Sequence, residues 1–135
     1  MKKRNVWKKV KLPLELHTDK RGKIVDVFYR ANIQHVAIIS SRKGSLRGDH
    51  YHADTVQHML ITKGALEYWY KPLGSARAAK CEILRSGDLV TTPAHEIHAL
   101  RIIEDNEFVV FTTGKRGGKD YESDTFRVQP SIIPA

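Results

Sequence analysis

The amino-acid sequence predicts an all-β, antiparallel domain. Nine short runs rich in β-branched and aromatic residues follow one another, separated by Gly, Asp, Asn and Pro turn signals. No amphipathic helical stretch of about 11 residues interrupts the series. Gly44, Gly64, Gly87 and Gly114 each fall between two such runs. Many short strands at this spacing indicate a sandwich or barrel.

The runs can be justified in chain order. Residues 23–29 read KIVDVFY, where Ile24, Val25, Val27 and Phe28 frame Asp26. Run 34–40 follows. Runs 48–52 and 55–62 bracket a polar turn and carry His50, His52 and Gln57. Residues 65–71 read ALEYWYK, with large side chains on both faces. The stretch from Pro72 to Arg77 is a loop before run 79–84. Runs 88–92 and 98–103 are divided by a turn at Pro93, and run 107–113 completes the set. Residues 115–119 form a basic, glycine-rich loop, and no internal repeat is visible.

At 135 residues the chain has room for one core, which buries about two thirds of the surface exposed by the unfolded chain. The lone Cys81 has no partner for an internal disulfide, and no apolar stretch approaches a membrane span of about 18 residues. The basic start has no apolar run behind it and fails as a secretory signal, so the cytoplasm is the expected location. The formal net charge is +8, but Lys2, Lys3, Arg4, Lys8, Lys9 and Lys11 supply six positive charges before any acid appears. That excess belongs to an arm and not to a nucleic-acid surface, and no helix-turn-helix, zinc-finger or RNP motif accompanies it. We expect residues 1–16 to be an N-terminal arm or exchanged strand and residues 17–135 a single domain. Val6, Trp7, Val10, Leu12, Leu14 and Leu16 give the arm more apolar surface than an isolated segment would expose, which points to a homodimer built through β-strands.

The strongest chemical signal is the spacing of three histidines. Gly44-x5-His50-x-His52-x4-Gln57-x6-Gly64 is followed by Gly87-x5-Pro93-x4-His98. Two histidines one residue apart point to the same face of a strand and can grip one ion. Imidazole suits zinc, iron, nickel or copper. Gln57 adds a neutral amide oxygen, so an ion held there would keep its full dipositive charge and act as a Lewis acid.

These two segments resemble the paired signature of the cupin superfamily, Gly-x5-His-x-His-x3–4-Glu-x6-Gly and Gly-x5-Pro-x-Gly-x2-His-x3-Asn. Gln57 stands in place of the Glu, His95 in place of the second motif's internal Gly, and Ile102 in place of the Asn. The resemblance implies a double-stranded β-helix, the cupin jelly roll. It also implies a divalent transition metal (zinc, iron, nickel or manganese) held by His50, His52, Gln57 and His98. In such a barrel the cavity lies between the sheets, and alternation directs His50, His52, Gln57, Met59, Ile61 and His98 inward, with Tyr51 and His58 facing away.

A narrower resemblance rests on Arg47-Gly48-Asp49-His50-Tyr51-His52 with Gln57. It is similar to the Arg-Gly-x-His-x-His-x4-Gln segment of nucleotide-sugar 3,4-ketoisomerases and, more loosely, to dehydrorhamnose 3,5-epimerases. Asp19-x-Arg21-Gly22-x-Ile24 and Gly117-Gly118-Lys119-Asp120-Tyr121-Glu122 are also similar to small cupins of polysaccharide biosynthesis. This resemblance implies a nucleotide-sugar substrate, Arg47 as a diphosphate ligand, His50 as a general base, and no metal. The cupin-type phosphoglucose isomerases, in contrast, hold a metal with a similar ligand set. Both analogies imply proton transfer next to a carbonyl, and they differ on whether His50 is base or ligand. If His50 is a ligand, the base must come from Tyr68, Tyr70, His95 or Glu96. The leading expectation is a sugar isomerase or epimerase. The alternatives are a non-catalytic sugar-binding or regulatory cupin and a metal-dependent dioxygenase.

Overall fold

The computed structural model describes residues 1–8, 10–114 and 122–135. Lys9 of the arm, the basic loop 115–119 and most of the 117–122 resemblance segment lie outside the described residues. Among the described residues there are twelve strands: β1 (Lys2–Asn5), β2 (Leu16–Asp19), β3 (Gly22–Val25), β4 (His35–Ser41), β5 (Leu46–Tyr51), β6 (Gln57–Lys63), β7 (Ala65–Pro72), β8 (Lys80–Arg85), β9 (Asp88–Thr92), β10 (Glu96–Ile102), β11 (Asn106–Thr112) and β12 (Phe126–Arg127). Among the described residues no helix is long and apolar enough to cross a membrane.

Two five-stranded antiparallel sheets, ordered β1-β9-β6-β11-β4 and β12-β5-β10-β7-β8, face each other, and β2-β3 forms a separate hairpin. Strands β4 to β11 pass between the two sheets in the double Greek-key order of a jelly roll. The crossing places β5 and β10 of one sheet opposite β6 and β11 of the other.

Alternation sets the core. Along β6, Gln57, Met59 and Ile61 are buried while His58 and Leu60 are half-buried, and β11 repeats the pattern with Phe108 and Val110 inside. These side chains meet Leu66, Tyr68, Leu84, Val90, Leu100 and Ile102 from the remaining strands. Burying a side chain of this size contributes roughly 1.5–3 kcal/mol against leaving it in water. The outer face also matches expectation: His58 packs against Phe28 with ring centroids 4.9 Å apart, and Tyr51 stacks on Phe126 at 5.3 Å.

The expected run 88–92 coincides with β9, and the other jelly-roll strands differ from their runs by one or two residues at either end. The run 23–29 does not stay a strand. It leaves the hairpin after Val25, and Phe28 turns across the outer sheet face to contact His58 and Phe111, each at 4.9 Å. Strands β2 and β12 fall outside the nine expected runs, because LHTD and FR show no apolar alternation, and residues 2–5 of the expected arm form β1. β1 is held by ladder bonds to β9, with Lys2 opposite Thr91 and Asn5 opposite Asp88, and Val6 beyond it is buried.

The C-terminal segment is tied to the β5–β6 turn through Asp124. Its carboxylate accepts the backbone N–H groups of Ala53 at 2.9 Å, Asp54 at 2.9 Å and Thr55 at 2.7 Å. Burial pushes this carboxyl up, but the backbone donors, with help from the Thr55 hydroxyl, outweigh it and hold the group at about 2, below the ordinary 3.8. A folded-state value below the unfolded one stabilises the fold above the unfolded pKa, and that stability is lost as pH falls from 3.8 toward about 2. Asp124→Asn is therefore expected to lower the melting temperature at pH 7 and to flatten its decline in acid. Parallel pH profiles for the two proteins would show that the carboxylate contributes nothing.

Candidate functional site

The site begins with an irregularity in β5. Against β10, His50 lies opposite His98, Gly48 opposite Ala99 and Arg47 opposite Leu100, so Asp49 is an extra residue, a β-bulge. Gly48 has φ +86° and Asp49 φ +57°, both left-handed. A Cβ at Gly48 would stand 2.7 Å from the His98 carbonyl oxygen and 3.0 Å from Ala99 Cα, so only glycine fits there. The bulge changes which way Arg47 points. Three residues before His50, it would face outward in a regular strand. With Asp49 squeezed out it shares the face of Leu100, His98 and His50.

The bulge is clamped from the far end of the chain. Asp49 accepts the Ser131 hydroxyl at 2.6 Å and the Ile132 N–H at 2.9 Å through its carboxylate, and the Val128 N–H at 2.9 Å through its carbonyl. Neither Asp49 nor Asp124 was singled out from sequence. Their partners lie more than 65 residues away, and no local pattern announces such contacts.

Three imidazoles converge beside the bulge. Ring centroids are 5.0 Å apart for His50 and His52, 4.7 Å for His50 and His98, and 5.4 Å for His52 and His98. One nitrogen from each lies within 4.8 Å of the others. His52 Nδ1 sits 2.8 Å from the Asp124 carbonyl oxygen, and His98 Nδ1 sits 3.2 Å from that of Glu96. A carbonyl can only accept, so each Nδ1 carries a proton and Nε2 is the ring nitrogen through which a ligand contact could be made. This orientation by backbone carbonyls is the arrangement that metal-binding histidines use.

Gln57, buried on β6, brings its amide from the opposite sheet to a cavity of about 370 Å³ that Arg47, His50 and His98 also line. Met59, Phe108 and Val110 give this cavity an apolar floor. Arg47 is fixed by donating from Nε to Ser41 Oγ at 2.7 Å and from a terminal nitrogen to the Ser40 carbonyl at 3.1 Å.

The remaining candidates are placed elsewhere. Tyr68 is fully buried behind the site, its ring parallel to that of His98 with centroids 6.3 Å apart and its hydroxyl bonded to Thr92 Oγ1. Burial pushes its phenol strongly up. Tyr70 packs against Tyr68 at 5.6 Å. His95 is exposed on the β9–β10 turn and does not line the cavity. Its φ of +64° is left-handed, which accounts for the glycine at this place in the cupin pattern. The Glu96 carboxylate meets the Met1 ammonium at 2.6 Å.

Three imidazoles with an amide oxygen nearby form a donor set that fits a divalent transition metal. Ligand distances of about 2.0–2.1 Å would draw the nitrogens to roughly 3.3 Å apart. Equally, an imidazole beside an apolar floor and an arginine can move a proton on a bound anionic substrate.

The family model described as Polysaccharide biosynthesis C-terminal domain matches residues 17–126. Among solved structures, the chain is similar to the dTDP-4-dehydrorhamnose 3,5-epimerase of Sulfolobus tokodaii, with 20% identity and a TM-score of 0.70 over 89% of this chain and 76% of that one. It is similar to a double mutant of the 3,4-ketoisomerase QdtA of Thermoanaerobacterium thermosaccharolyticum in complex with TDP, with 19% identity and a TM-score of 0.70 over 89% and 87%. A 3,4-ketoisomerase of Helicobacter canadensis is similar at 17% identity and a TM-score of 0.70 over 85% and 86%. No curated protein matches the chain by sequence. Likeness at these identities shows the shared cupin jelly roll. With a family match running from the β2–β3 hairpin to β12, the chain belongs to the Polysaccharide biosynthesis C-terminal domain family.

Proposed function

We propose that the protein is a nucleotide-sugar isomerase or epimerase that moves a proton on a carbon next to a carbonyl. The observation that carries this reading is the bulge at Gly48–Asp49, which puts a guanidinium and an imidazole on one face of one strand above an apolar floor. Removing a proton α to a ketone creates negative charge on the oxygen, so the site must supply a base, a group to stabilise the oxyanion, and an anchor for the rest of the substrate. His50 is the base. The Gln57 amide can donate to the developing oxyanion from the opposite sheet. Arg47 holds the diphosphate, whose planar recognition suits a guanidinium already fixed by Ser40 and Ser41. Tyr68 is a positioning residue that packs behind His98. The solved structures similar to the chain include 3,4-ketoisomerases and sugar epimerases, one of them with TDP-4-keto-6-deoxyglucose bound, which supports this reading.

A second reading is favoured by the His50, His52 and His98 cluster itself. In it a zinc, iron, nickel or manganese ion is held by the three imidazoles and the Gln57 oxygen. When bound, such an ion supplies Lewis-acid stabilisation of the enediolate. His50 would then be a ligand and the base would be another group.

The direct test is incubation with TDP-4-keto-6-deoxyglucose in D₂O, following deuterium at the carbons beside the ketone by NMR. Absence of both exchange and product would sink the reading. Arg47→Ala is expected to weaken binding of a nucleotide sugar by about 1.5–3 kcal/mol while leaving binding of the free sugar unchanged. Equal losses for both ligands would show that Arg47 does not read phosphate. His50→Ala is expected to lower turnover by at least about 10²-fold in the base reading, with no response of melting temperature to added metal in either protein. In the metal reading His98→Ala reduces metal stoichiometry and the thermal stabilisation that added zinc, nickel, manganese or ferrous iron gives the parent protein.

A further inference from the structure

The short strand β12 brings an unanticipated residue to the same site. Arg127 lies directly opposite His50 in the β12–β5 ladder, and residues paired in this way project from the same face with Cβ atoms about 4.5–5.5 Å apart. Arg127 therefore stands beside His50 across the sheet, while the bulge sets Arg47 beside His50 along the strand. Both guanidiniums line the cavity, as does Glu122, whose carboxylate is ion-paired with Arg127. The other carboxylate there, Asp49, is engaged by Ser131 and Ile132.

The Arg127–Glu122 pair is open to water, with side chains 62% and 41% exposed. Exposed ion pairs contribute little because solvent already satisfies both charges. The pair is made through one nitrogen and one oxygen, whereas a phosphate can give arginine two parallel charge-assisted bonds, so a phosphoryl group can displace Glu122. Two guanidiniums flanking one histidine match a ligand whose two adjacent phosphoryl groups rest at the cavity mouth while its sugar extends past His50 to the apolar floor.

Resting on the nucleotide-sugar reading, we propose that Arg127 is a second diphosphate-binding residue and that Glu122 is a built-in competitor occupying it until the ligand arrives. The two side chains then act with opposite sign, which a purely structural ion pair would not produce. The experiment is calorimetric titration of the full chain and its Arg47→Gln, Arg127→Gln, Arg127→Lys and Glu122→Gln variants with thymidine diphosphate and with inorganic pyrophosphate. Melting temperatures check that each variant is folded. Arg127→Gln is expected to raise Kd about tenfold, Arg127→Lys to raise it less, and Glu122→Gln to lower it about threefold; a tenfold change corresponds to about 1.4 kcal/mol. If Arg47→Gln weakens binding while the Arg127 and Glu122 variants match the parent, the proposal is overturned and the nucleotide-sugar reading stands. If Glu122→Gln weakens binding along with Arg127→Gln, Glu122 orients the arginine and does not compete with the ligand, which also overturns the proposal. A parent protein that binds neither probe overturns this proposal together with the reading beneath it.

Discussion

The site depends on one extra residue in one strand. Period-two alternation would put Arg47 and His50 on opposite faces of the sheet, and only the Gly48–Asp49 bulge brings them together. The bulge is unfavourable in itself. Gly48 must be left-handed where no side chain fits, and Asp49 occupies a left-handed conformation that costs a non-glycine residue about 1 kcal/mol or more. Two hydrogen bonds to the Asp49 carboxylate and one to its carbonyl offset that cost, each contributing about 0.5–1.5 kcal/mol. Strain at the site is thus held in place by the C-terminal segment.

The orientation of the imidazoles follows the same economy of means. Backbone carbonyls of Asp124 and Glu96 select the tautomers of His52 and His98, so no additional buried side chain is needed to aim them. Behind them, Tyr68 fills the sheet interior, and its hydroxyl is satisfied by Thr92 on the facing sheet. The polar cluster therefore sits on an apolar base formed by the facing sheet.

Much of this was legible in the sequence, for identifiable reasons. Alternation in LITK-like and EFVVFT-like segments is a local signal, so β4 to β11 were readable, and the inward direction of His50, His52, Gln57 and His98 came from the same periodicity. Strands formed by polar residues were not readable, since β1 and β12 exist only because a neighbouring edge offers backbone partners. Depth was not readable either. Alternation places Tyr68 inside, but only packing shows it to be behind the site and not at its wall. His95 looked like a candidate because it is a titratable group beside the motif, whereas the backbone shows why the position exists: it is a left-handed turn residue. Asp49 and Asp124 act through partners remote in sequence, Arg127 comes beside His50 only through the pairing of β12 with β5, and such contacts leave no periodic trace.

The clamp on the bulge also has a consequence in time. His50 and Arg47 are made before the residues that hold their geometry, Asp124 and the segment from Val128 to Ile132, which follow about 80 residues later. At about 5–20 residues per second, that leaves an interval of roughly 4–16 s in which the bulge and His52 exist without the contacts that hold them. The nascent chain thus carries the Arg47 and His50 side chains well before it contains the segment that ties down the bulge between them.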